Sequence, residues 1–209
     1  MVERHGLDDD RHVDVITPHG RDTFDRVVLA VHSDQALRML AEPSPTEREV
    51  LRSVRYQPNR ATLHTDVSLL SPRRRAWAAW NYDCRPGEPV GGAATVTYDM
   101  TTLQHLPGSE RYLVTLNSDQ HIDPARVIRS FDYAHPVFDG PAVAAQGRFE
   151  QIDGVDRVHF CGAWWGHGFH EDGMRSGLRV CERLGVAWPA VTPTAPEPPF
   201  ERELIAEPV

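Results

Sequence analysis

The sequence predicts an α/β fold interrupted by a β-rich insert, an arrangement of the α+β class. Two continuous apolar runs, at 27–31 and 158–161, have no polar face, and a helical pattern follows each of them. Runs of this kind are typical of strands that are buried on both faces, as in a parallel sheet. Between them, apolar and polar residues alternate in several short stretches, which favours antiparallel strands.

The first α/β unit is expected to start with a β-hairpin over 11–26, with turn residues Thr17-Pro18-His19-Gly20. The chain then enters the apolar strand 27–31. Ser33 is the predicted N-cap of a short helix over 35–40. A strand, a short turn and a helix in this order form an α/β unit, and the second apolar strand could share its sheet.

The insert is expected to begin with a helix. Thr46 and Glu49 have the spacing of a capping box, in which each side chain accepts a hydrogen bond from the other residue's backbone. The apolar side chains of this helix fall on one side, at Val50, Leu51 and Val54. They therefore predict the face that the helix buries.

Further strands of the insert are predicted where the hydrophobic pattern has a period of two, at 61–69, 76–82, 93–99 and 112–117. Clusters of glycine and proline separate these runs and predict turns. A short helix and an extended stretch complete the insert, at 123–129 and 130–138. The middle of the chain therefore predicts a mostly antiparallel sheet.

Composition and charge narrow the possible functions. The 209 residues are 40% apolar and 25% charged, as in ordinary globular proteins, and the net charge is -8. No apolar run reaches the ~20 residues that a membrane-spanning helix needs. A nucleic-acid surface needs clustered Lys and Arg, and the one basic cluster, Arg73 to Arg75, is expected to be a solvated turn. We therefore expect neither a nucleic-acid partner nor a membrane span.

The start of the chain and its cysteines predict a cytoplasmic protein. Residues 1–10 contain no apolar stretch and do not resemble a secretory signal. An odd number of widely spaced cysteines fits a reduced protein better than a disulfide scaffold. These cysteines are Cys84, Cys161 and Cys181.

The segment 159–177 carries the chemical signal. A buried strand ends at Gly162, a loop rich in glycine and aromatic residues follows, and a helix is expected from about Asp172 to Leu184. The free N–H groups and the dipole at a helix N-terminus suit a negative charge or a carbonyl oxygen. The helix is expected to bury Met174, Leu178, Cys181 and Leu184.

Spacing alone leaves several interpretations of this segment open. Its glycines could serve only packing, or Gly173 could admit a flat ligand while Gly177 lets the helix lie close to a strand. Gly166-His-Gly168 matches only the first half of a phosphate-binding fingerprint, because the third glycine is missing. A metal site matches no zinc spacing. Its potential ligands would be His159, Cys161, His167, His170, Glu171 and Asp172.

The same residues resemble the C-terminal flavin motif of the flavin-containing amine oxidase superfamily, which includes monoamine oxidases, phytoene desaturases and protoporphyrinogen oxidase. The motif, Phe-Ala-Gly-Glu followed by a glycine-containing helix start, is similar to Phe160-Cys-Gly-Ala163 and Glu171-Asp-Gly-Met-Arg-Ser-Gly177. Asp25-Arg-Val-Val-Leu-Ala30 resembles a second family segment. The resemblance covers about residues 11–185. Bacterial proteins of the predicted NAD/FAD-binding type share further stretches, at 55–59, 63–66, 98–100 and 133–138.

The resemblance implies FAD as the cofactor and the C-terminal part of a two-domain FAD-binding amine-oxidase-like fold. It places Gly162 and its neighbour along the ribityl–pyrophosphate of FAD, and it gives the backbone N–H groups of Gly173 and Met174 to the flavin pyrimidine. The family's acidic residue after the strand glycine is Ala163 here, so the ribityl contact is lost or comes from another group. The implied cofactor-binding set is Gly162, Ala163, Trp164, Asp172, Gly173 and Met174.

The resemblance also implies a division of the chain. The FAD-binding domain would comprise 11–40 and 150–186, and a β-rich substrate-type domain would comprise 41–149. A flexible start at 1–10 and a proline-rich flexible tail at 187–209 would flank them. The family's N-terminal G-x-G-x-x-G fingerprint does not occur. We therefore expect part of a longer protein, or a partner of a separate N-terminal FAD-binding half, with weak or no FAD binding by this chain alone. The alternative is a non-catalytic fragment or partner subunit.

Catalytic residues are not assigned by the sequence. In flavin enzymes the cofactor carries the redox chemistry and the protein positions the substrate, here a small-molecule or lipid-like compound. Aromatic residues could wall its pocket, although alternating aromatics more often belong to a core; they are Trp77, Trp80, Tyr82 and Tyr98. Candidate acid–base groups, because histidine changes charge near neutral pH, are His135, His167 and His170.

Overall fold

The computed structural model describes residues 1–5, 11–82 and 95–186. Its strands are β1 (Val2–His5), β2 (His12–Thr17), β3 (Gly20–Phe24), β4 (Val27–Ala30), β5 (Arg55–His64), β6 (Trp80–Tyr82), β7 (Val96–Asp99), β8 (Leu113–Leu116), β9 (Val127–Val137) and β10 (Val158–Cys161). Its α-helices are α1 (Ser33–Met39), α2 (Pro45–Ser53), α3 (Met100–Leu103), α4 (Gly140–Gln146) and α5 (His170–Arg183). The predicted tail at 187–209 and Cys84 lie outside these residues.

The two apolar strands pair with each other, as the sequence suggested. β4 and β10 form a parallel sheet in which Val27 lies opposite Val158. Burial on both faces is correct only for β10, whose four residues are all buried. In β4 only Leu29 is buried, and Val28 is 42% exposed. Because neighbouring side chains of a strand point to opposite faces, the described chain covers the face of Leu29 and leaves that of Val28 open.

The first residues are a strand rather than a flexible start. β1 pairs antiparallel with β2, and β2 pairs with β3 in the predicted hairpin. The N-terminal ammonium donates to the carbonyl oxygen of Ile16 at 2.8 Å, and Val2 forms a bridge with Leu40. Val2 is 4% exposed, so its burial in the apolar core stabilises β1, which adds a third strand to the hairpin. The correction concerns Val2–His5, because the next five residues are not described.

Helix α2 begins two residues earlier than the predicted capping box implies, at Pro45 instead of residue 47. The N-cap is Ser44, whose Oγ accepts from the Glu47 backbone at 3.2 Å while the Glu47 carboxylate accepts from the Ser44 N–H at 2.7 Å. Thr46 lies inside the helix. Pro45 explains the shift, because proline is favoured at the first helical position, where its missing N–H costs nothing.

One apolar core joins the parallel sheet to the helices. The predicted face of α2 is buried as expected, at Val50, Leu51 and Val54. It packs in the same cluster as Phe160 of β10 and Ala142 of α4. The sequence did not predict α4. Both α2 and α4 fall in the range assigned to the β-rich domain, so the division into two domains stays a prediction.

The insert is an antiparallel sheet, as predicted, with strand order β6-β7-β8-β5-β9. The strand expected at 61–69 has other bounds, because β5 starts at Arg55 and Val67–Leu69 form a 3-10 helix. Pro58 is tolerated inside β5. It lies opposite Ala134 of β9, whereas β8 pairs only with residues 61–64, so no strand faces its missing N–H. Proline is therefore compatible with this long strand.

One face of this sheet is buried and polar. His64 Nε2 lies 2.8 Å from Thr115 Oγ1, which lies 2.8 Å from Thr97 Oγ1, and all three residues are buried. His64 Nδ1 accepts from the backbone N–H of Asp66 at 3.1 Å. Burial lowers the pKa of His64, and the nearby Asp66 carboxylate opposes this shift.

Helix α5 is confirmed, but of its four predicted buried residues Leu178, Cys181 and Leu184 are only half-buried and Met174 is exposed. Ser176 and Val180 are buried, whereas Met174 is 51% exposed. The serine takes a central position because its Oγ accepts from the Gly162 N–H at 2.8 Å and donates to a carbonyl of its own helix. A Cβ at Gly177 would meet nothing within 4 Å, so that glycine serves no close packing. No helix among the described residues is long and apolar enough to cross a bilayer.

Candidate functional site

A cavity of about 510 Å³ lies beside the carboxyl ends of β4 and β10, and β5 and β9 form its other side. Its volume is in the range of small-molecule sites. In α/β sheets, ligands commonly bind at the carboxyl ends of parallel strands. The wall includes Val31, Tyr56, His135, Gly162, Ala163 and Trp164.

Gly162 and Trp164 build the side of the cavity next to β10. Trp164 is 2% exposed, and its Nε1 donates to the carbonyl oxygen of Val31 at 3.0 Å. A Cβ on Gly162 would lie 2.5 Å from that Nε1 and 3.2 Å from the Val31 oxygen. Only glycine fits there without displacing the indole. Three of the predicted cofactor-binding residues, namely Gly162, Ala163 and Trp164, therefore lie on the cavity wall.

The other three lie beside the cavity and not on its wall. The Asp172 carboxylate accepts from the backbone N–H groups of His167 and Phe169, each at 3.0 Å, and so closes the loop before α5. The Gly173 N–H already donates to the carbonyl oxygen of Phe169 at 3.2 Å. A flavin would have to share this donor. Contacts between a cofactor and Asp172, Gly173 or Met174 remain predictions.

The loop and the helix start nevertheless pack against each other. An ideal Cβ on Gly173 would lie 3.7 Å from the backbone nitrogen of Ala163, which is ordinary contact. The hydrogen bond from the Gly162 N–H to Ser176 Oγ joins the end of β10 to the first turns of α5. The sequence motif therefore forms one local unit.

Two aromatic side chains of the wall were not predicted. The rings of His32 and Tyr56 stack with centroids 4.4 Å apart and 16° between their planes. The Tyr56 hydroxyl accepts from the Ser33 N–H at 2.9 Å. Burial raises the pKa of Tyr56, so the phenol is neutral at physiological pH. The available signal was the shared stretch 55–59, which includes this tyrosine.

Of the three candidate histidines, only His135 lies on the cavity wall. Its Nδ1 is 2.7 Å from Nδ2 of Asn59, a residue of the same shared stretch that the sequence did not single out. His167 and His170 are exposed and lie outside the wall. The structure thus selects among histidines that spacing could not separate.

The predicted aromatic pocket residues lie elsewhere. Trp80 and Tyr82 are 60% and 65% exposed and border a separate cavity of about 570 Å³. Trp80 meets the ring of Tyr98 edge-on at 5.4 Å. Trp77 donates to the Ser71 carbonyl at 2.6 Å. They do not line the cavity at β4 and β10, because short β6 lies at the far edge of the sheet from β9.

The wall carries no formal charge: within the described residues, no Asp, Glu, Lys or Arg lines the cavity. Nor do three potential metal ligands meet anywhere in the described part of the chain. His159, one of the residues considered for a metal, is buried and pairs with Asp153 at 3.1 Å. Asp153 also receives Arg183 Nε at 3.0 Å. The cavity is therefore a neutral, aromatic space.

Solved structures of amine-oxidase-like proteins share this fold. A CLA-producing fatty acid isomerase from P. acnes matches at 16% identity with a TM-score of 0.58, over 88% of this chain and 46% of its own. A protein assigned as a protoporphyrinogen oxidase from Exiguobacterium sp. 255-15 matches at 12% identity and 0.56, over 87% and 45%. Putrescine oxidase bound to putrescine matches at 13% and 0.54, over 88% and 47%.

The chain therefore has the fold of part of an amine-oxidase-like protein, which confirms the resemblance at the level of the fold. It spans about half of the length of the structures that it matches. No protein-family model and no curated protein sequence matches it.

Proposed function

We propose that this chain is the C-terminal portion of an FAD-dependent oxidoreductase of the amine-oxidase superfamily. The observation that carries the proposal is the cavity at the carboxyl ends of β4 and β10, with Gly162, Ala163 and Trp164 on its wall. The matched structures include a fatty acid isomerase and an oxidase bound to putrescine. We therefore infer a small-molecule or lipid-like substrate.

The wall suits the flat ring system of a flavin. It is aromatic and uncharged, and Gly162 presents bare backbone to the space. A bound flavin would supply the redox chemistry. The residues of this chain would orient the ring and exclude water, with the Trp164 indole fixed by its hydrogen bond to Val31. We place the ribityl side of the cofactor along Gly162, Ala163 and Trp164.

The second half of the proposed site is the start of α5. Gly173 packs against Ala163, so a ligand on that loop would lie near the first turn of the helix. Gly173 and Met174 are proposed to face the pyrimidine edge of the flavin. Asp172 would act by holding the loop before the helix, because its carboxylate is occupied by two backbone N–H groups.

A second candidate is a non-catalytic fragment or partner subunit that needs a separate FAD-binding half. Two features of β4 favour it. The face of Val28 is exposed, whereas parallel sheets normally have both faces covered. Among the described residues, β4 also pairs with β10 alone, which leaves its other edge without a strand. A diphosphate would also find no cation on the described wall. In either version, this chain contributes one side of the cofactor site.

Flavin titration of the purified chain tests the proposal. We expect weak or no FAD binding by the chain alone, as measured by absorbance and flavin fluorescence. Co-expression with a polypeptide that carries a βαβ unit and the dinucleotide fingerprint should give a yellow complex. In that complex Gly162→Ala should lower flavin occupancy, and Gly177→Ala, which adds a methyl group in open space, should not.

The outcomes separate the two candidates. A tight yellow complex from this chain alone would contradict the need for a second half. A stable complex without flavin, over the range of FAD concentrations in cells, would contradict the oxidoreductase proposal and favour the non-catalytic partner.

A further inference from the structure

We infer that His135 presents an N–H donor to the cavity, so that the ligand group beside it is a carbonyl or carboxylate oxygen rather than a protonated amine. The inference deepens the proposed function, since it concerns the ligand of the same cavity. It depends on a chain of hydrogen bonds that fixes which ring nitrogen carries the proton.

This series of hydrogen bonds starts at a backbone N–H group, which can act only as a donor. The N–H of Arg60 points to the side chain of Asn117 at 3.0 Å and can only donate, so the Asn117 atom in contact is the carbonyl oxygen Oδ1. The amide nitrogen of Asn117 therefore faces the other way and donates to Asn59 Oδ1 at 2.7 Å. The orientation of each amide follows from its partners.

The orientation of the Asn59 amide determines which nitrogen of the His135 imidazole accepts a hydrogen bond. With Oδ1 of Asn59 occupied as an acceptor, its Nδ2 is the atom 2.7 Å from His135 Nδ1. That Nδ2 also donates to the carbonyl oxygen of Gln57 at 3.3 Å, which supports the same orientation. An amide nitrogen only donates, so Nδ1 must accept. The ring then carries its proton on Nε2.

The backbone positions the side chains that form this series of hydrogen bonds. Asn117 follows β8 directly and has φ 56°, a left-handed conformation that asparagine tolerates. Its N–H donates to the carbonyl oxygen of Arg60 at 2.9 Å, so two backbone contacts with one residue fix it. Asn59 lies opposite Tyr133 in the sheet, which makes His135 its diagonal neighbour. The contact between Asn59 and His135 is therefore built into the strand register.

The rest of the described wall offers no charged acceptor. The Tyr56 hydroxyl accepts from Ser33, and Gln35 Oε1 accepts from the His32 N–H at 3.3 Å. No carboxylate lines the described wall. A buried ammonium group needs such acceptors, because an unpaired charge is costly to desolvate. A carbonyl or carboxylate oxygen instead matches the donor at His135 Nε2.

The proton position can be measured directly in the full chain. Long-range ¹H–¹⁵N spectra of ¹⁵N-histidine-labelled protein at pH 8, assigned with His135→Gln, should show protonated Nε2 and accepting Nδ1. Asn59→Asp replaces the donor by a carboxylate and should move the proton to Nδ1. His167, which is exposed and outside the cavity, serves as an internal reference. A proton on Nδ1 in the natural sequence, or an unchanged ring in Asn59→Asp, would overturn the inference.

Matched ligands test the preference for oxygen. Phenylacetate and phenethylamine share a phenyl ring and differ in the polar group. We expect phenylacetate to shift the His135 Nε2 signal with about tenfold higher apparent affinity, the ratio that one hydrogen bond to a charged group gives. A shift with riboflavin would identify a flavin oxygen as the acceptor, and a shift with phenylacetate only would identify the substrate. Equal shifts with the amine, or none with any probe, would overturn the inference.

The two proposals can fail separately. The proton position on His135 and the response to phenylacetate need no flavin. A chain that shows both but never takes part in a flavin complex would support the oxygen preference and contradict the oxidoreductase proposal.

Discussion

The two strands of the parallel sheet have unequal surroundings. β10 is buried along its whole length, whereas β4, its direct partner, has one buried residue and an exposed valine on the opposite face. The outer edge of β10 is closed by this chain itself. Asp153 Oδ1 accepts from the Phe160 N–H at 2.9 Å, and the Gly154 N–H donates to the Val158 carbonyl at 2.9 Å. Nothing described does the same for β4.

The difference shows which side of the fold this chain completes. On the β10 side, the segment before the strand, α4 and α5 supply their own core and hydrogen bonds. On the β4 side, the described residues leave apolar surface exposed, which is unfavourable for a strand in a parallel sheet. The candidate site lies at the carboxyl ends of both strands. It therefore borders the side of β10, which this chain covers, and the side of β4, which the described residues leave exposed.

The largest effect is expected in β10. Phe160 is fully buried in the core, so Phe160→Ala should lower the free energy of unfolding by about 3–5 kcal/mol through lost burial and a cavity. Val28→Ala on β4 should change it by less than about 0.5 kcal/mol, because the side chain is largely exposed. Urea denaturation of the chain measures both. Equal losses would show that the open face of β4 is covered in solution.

A pair of glycines sharpens the comparison at the site. Gly162→Ala should destabilise the chain by about 1–3 kcal/mol, since the new methyl group would overlap the Trp164 indole. Gly177→Ala should stabilise it by about 0.5–1 kcal/mol, because alanine is the better residue in a helix and the space is open. Thermal unfolding should therefore shift in opposite directions. An unchanged or raised melting temperature for Gly162→Ala would contradict the tight contact at Gly162, and a lowered one for Gly177→Ala would contradict the open space there.

The N-cap of helix α2 gives a smaller effect. Ser44→Ala should cost about 1 kcal/mol, because it removes the acceptor for the Glu47 N–H. Thr46→Ala should cost distinctly less, since Thr46 is inside the helix and does not cap it. Chemical denaturation of the two variants decides between the two overlapping capping patterns. A larger loss for Thr46→Ala would favour the pattern that the sequence first suggested.

The smallest effect at neutral pH concerns His64, far from both parallel strands. Because burial lowers its pKa in the folded chain from 6.5, the unfolded state takes up a proton first as pH falls. Its contribution to stability is therefore complete above about pH 6.5 and declines below it. Stability measured from pH 8 to pH 4.5 should fall less in His64→Gln.

The carboxylate of Asp139 titrates below this pH range. The pKa of Asp139 is lowered by hydrogen bonds from the Ala142 N–H and Arg55, so its contribution is lost only below pH 3.8, the pKa of the unfolded group. An identical pH profile for His64→Gln and the natural sequence would contradict the assignment to His64.

Local patterns predicted much of the fold. The hairpin, the parallel pair, the α2 face and helix α5 follow from periodicity and turn residues. The misses have specific causes. Two capping patterns overlap at 44–49, and Pro45 selects the earlier one. The strand predicted at 61–69 starts earlier, at Arg55, because the missing N–H of Pro58 faces no strand and β5 continues through it. Neither outcome depends on the period of the sequence.

The site was predicted in halves. The motif around Gly162 and Gly173 was found by resemblance, and the structure brings these two segments into contact. On the opposite wall, His135 was one of three candidate histidines and Tyr56 was not singled out, because these residues come from strands of the insert that are far apart in sequence. No local spacing relates them to Gly162.

The sequence by itself determined the first hairpin, the two apolar strands and the glycine-rich turn between β10 and α5, because these depend on backbone conformation and periodicity within short stretches. The tertiary structure decided which strand is left open, which histidine faces the cavity and which of its nitrogens accepts a hydrogen bond. These depend on contacts such as Asn59 to Asn117, 58 residues apart, which only the strand register brings together. Such contacts leave no periodic trace in one sequence.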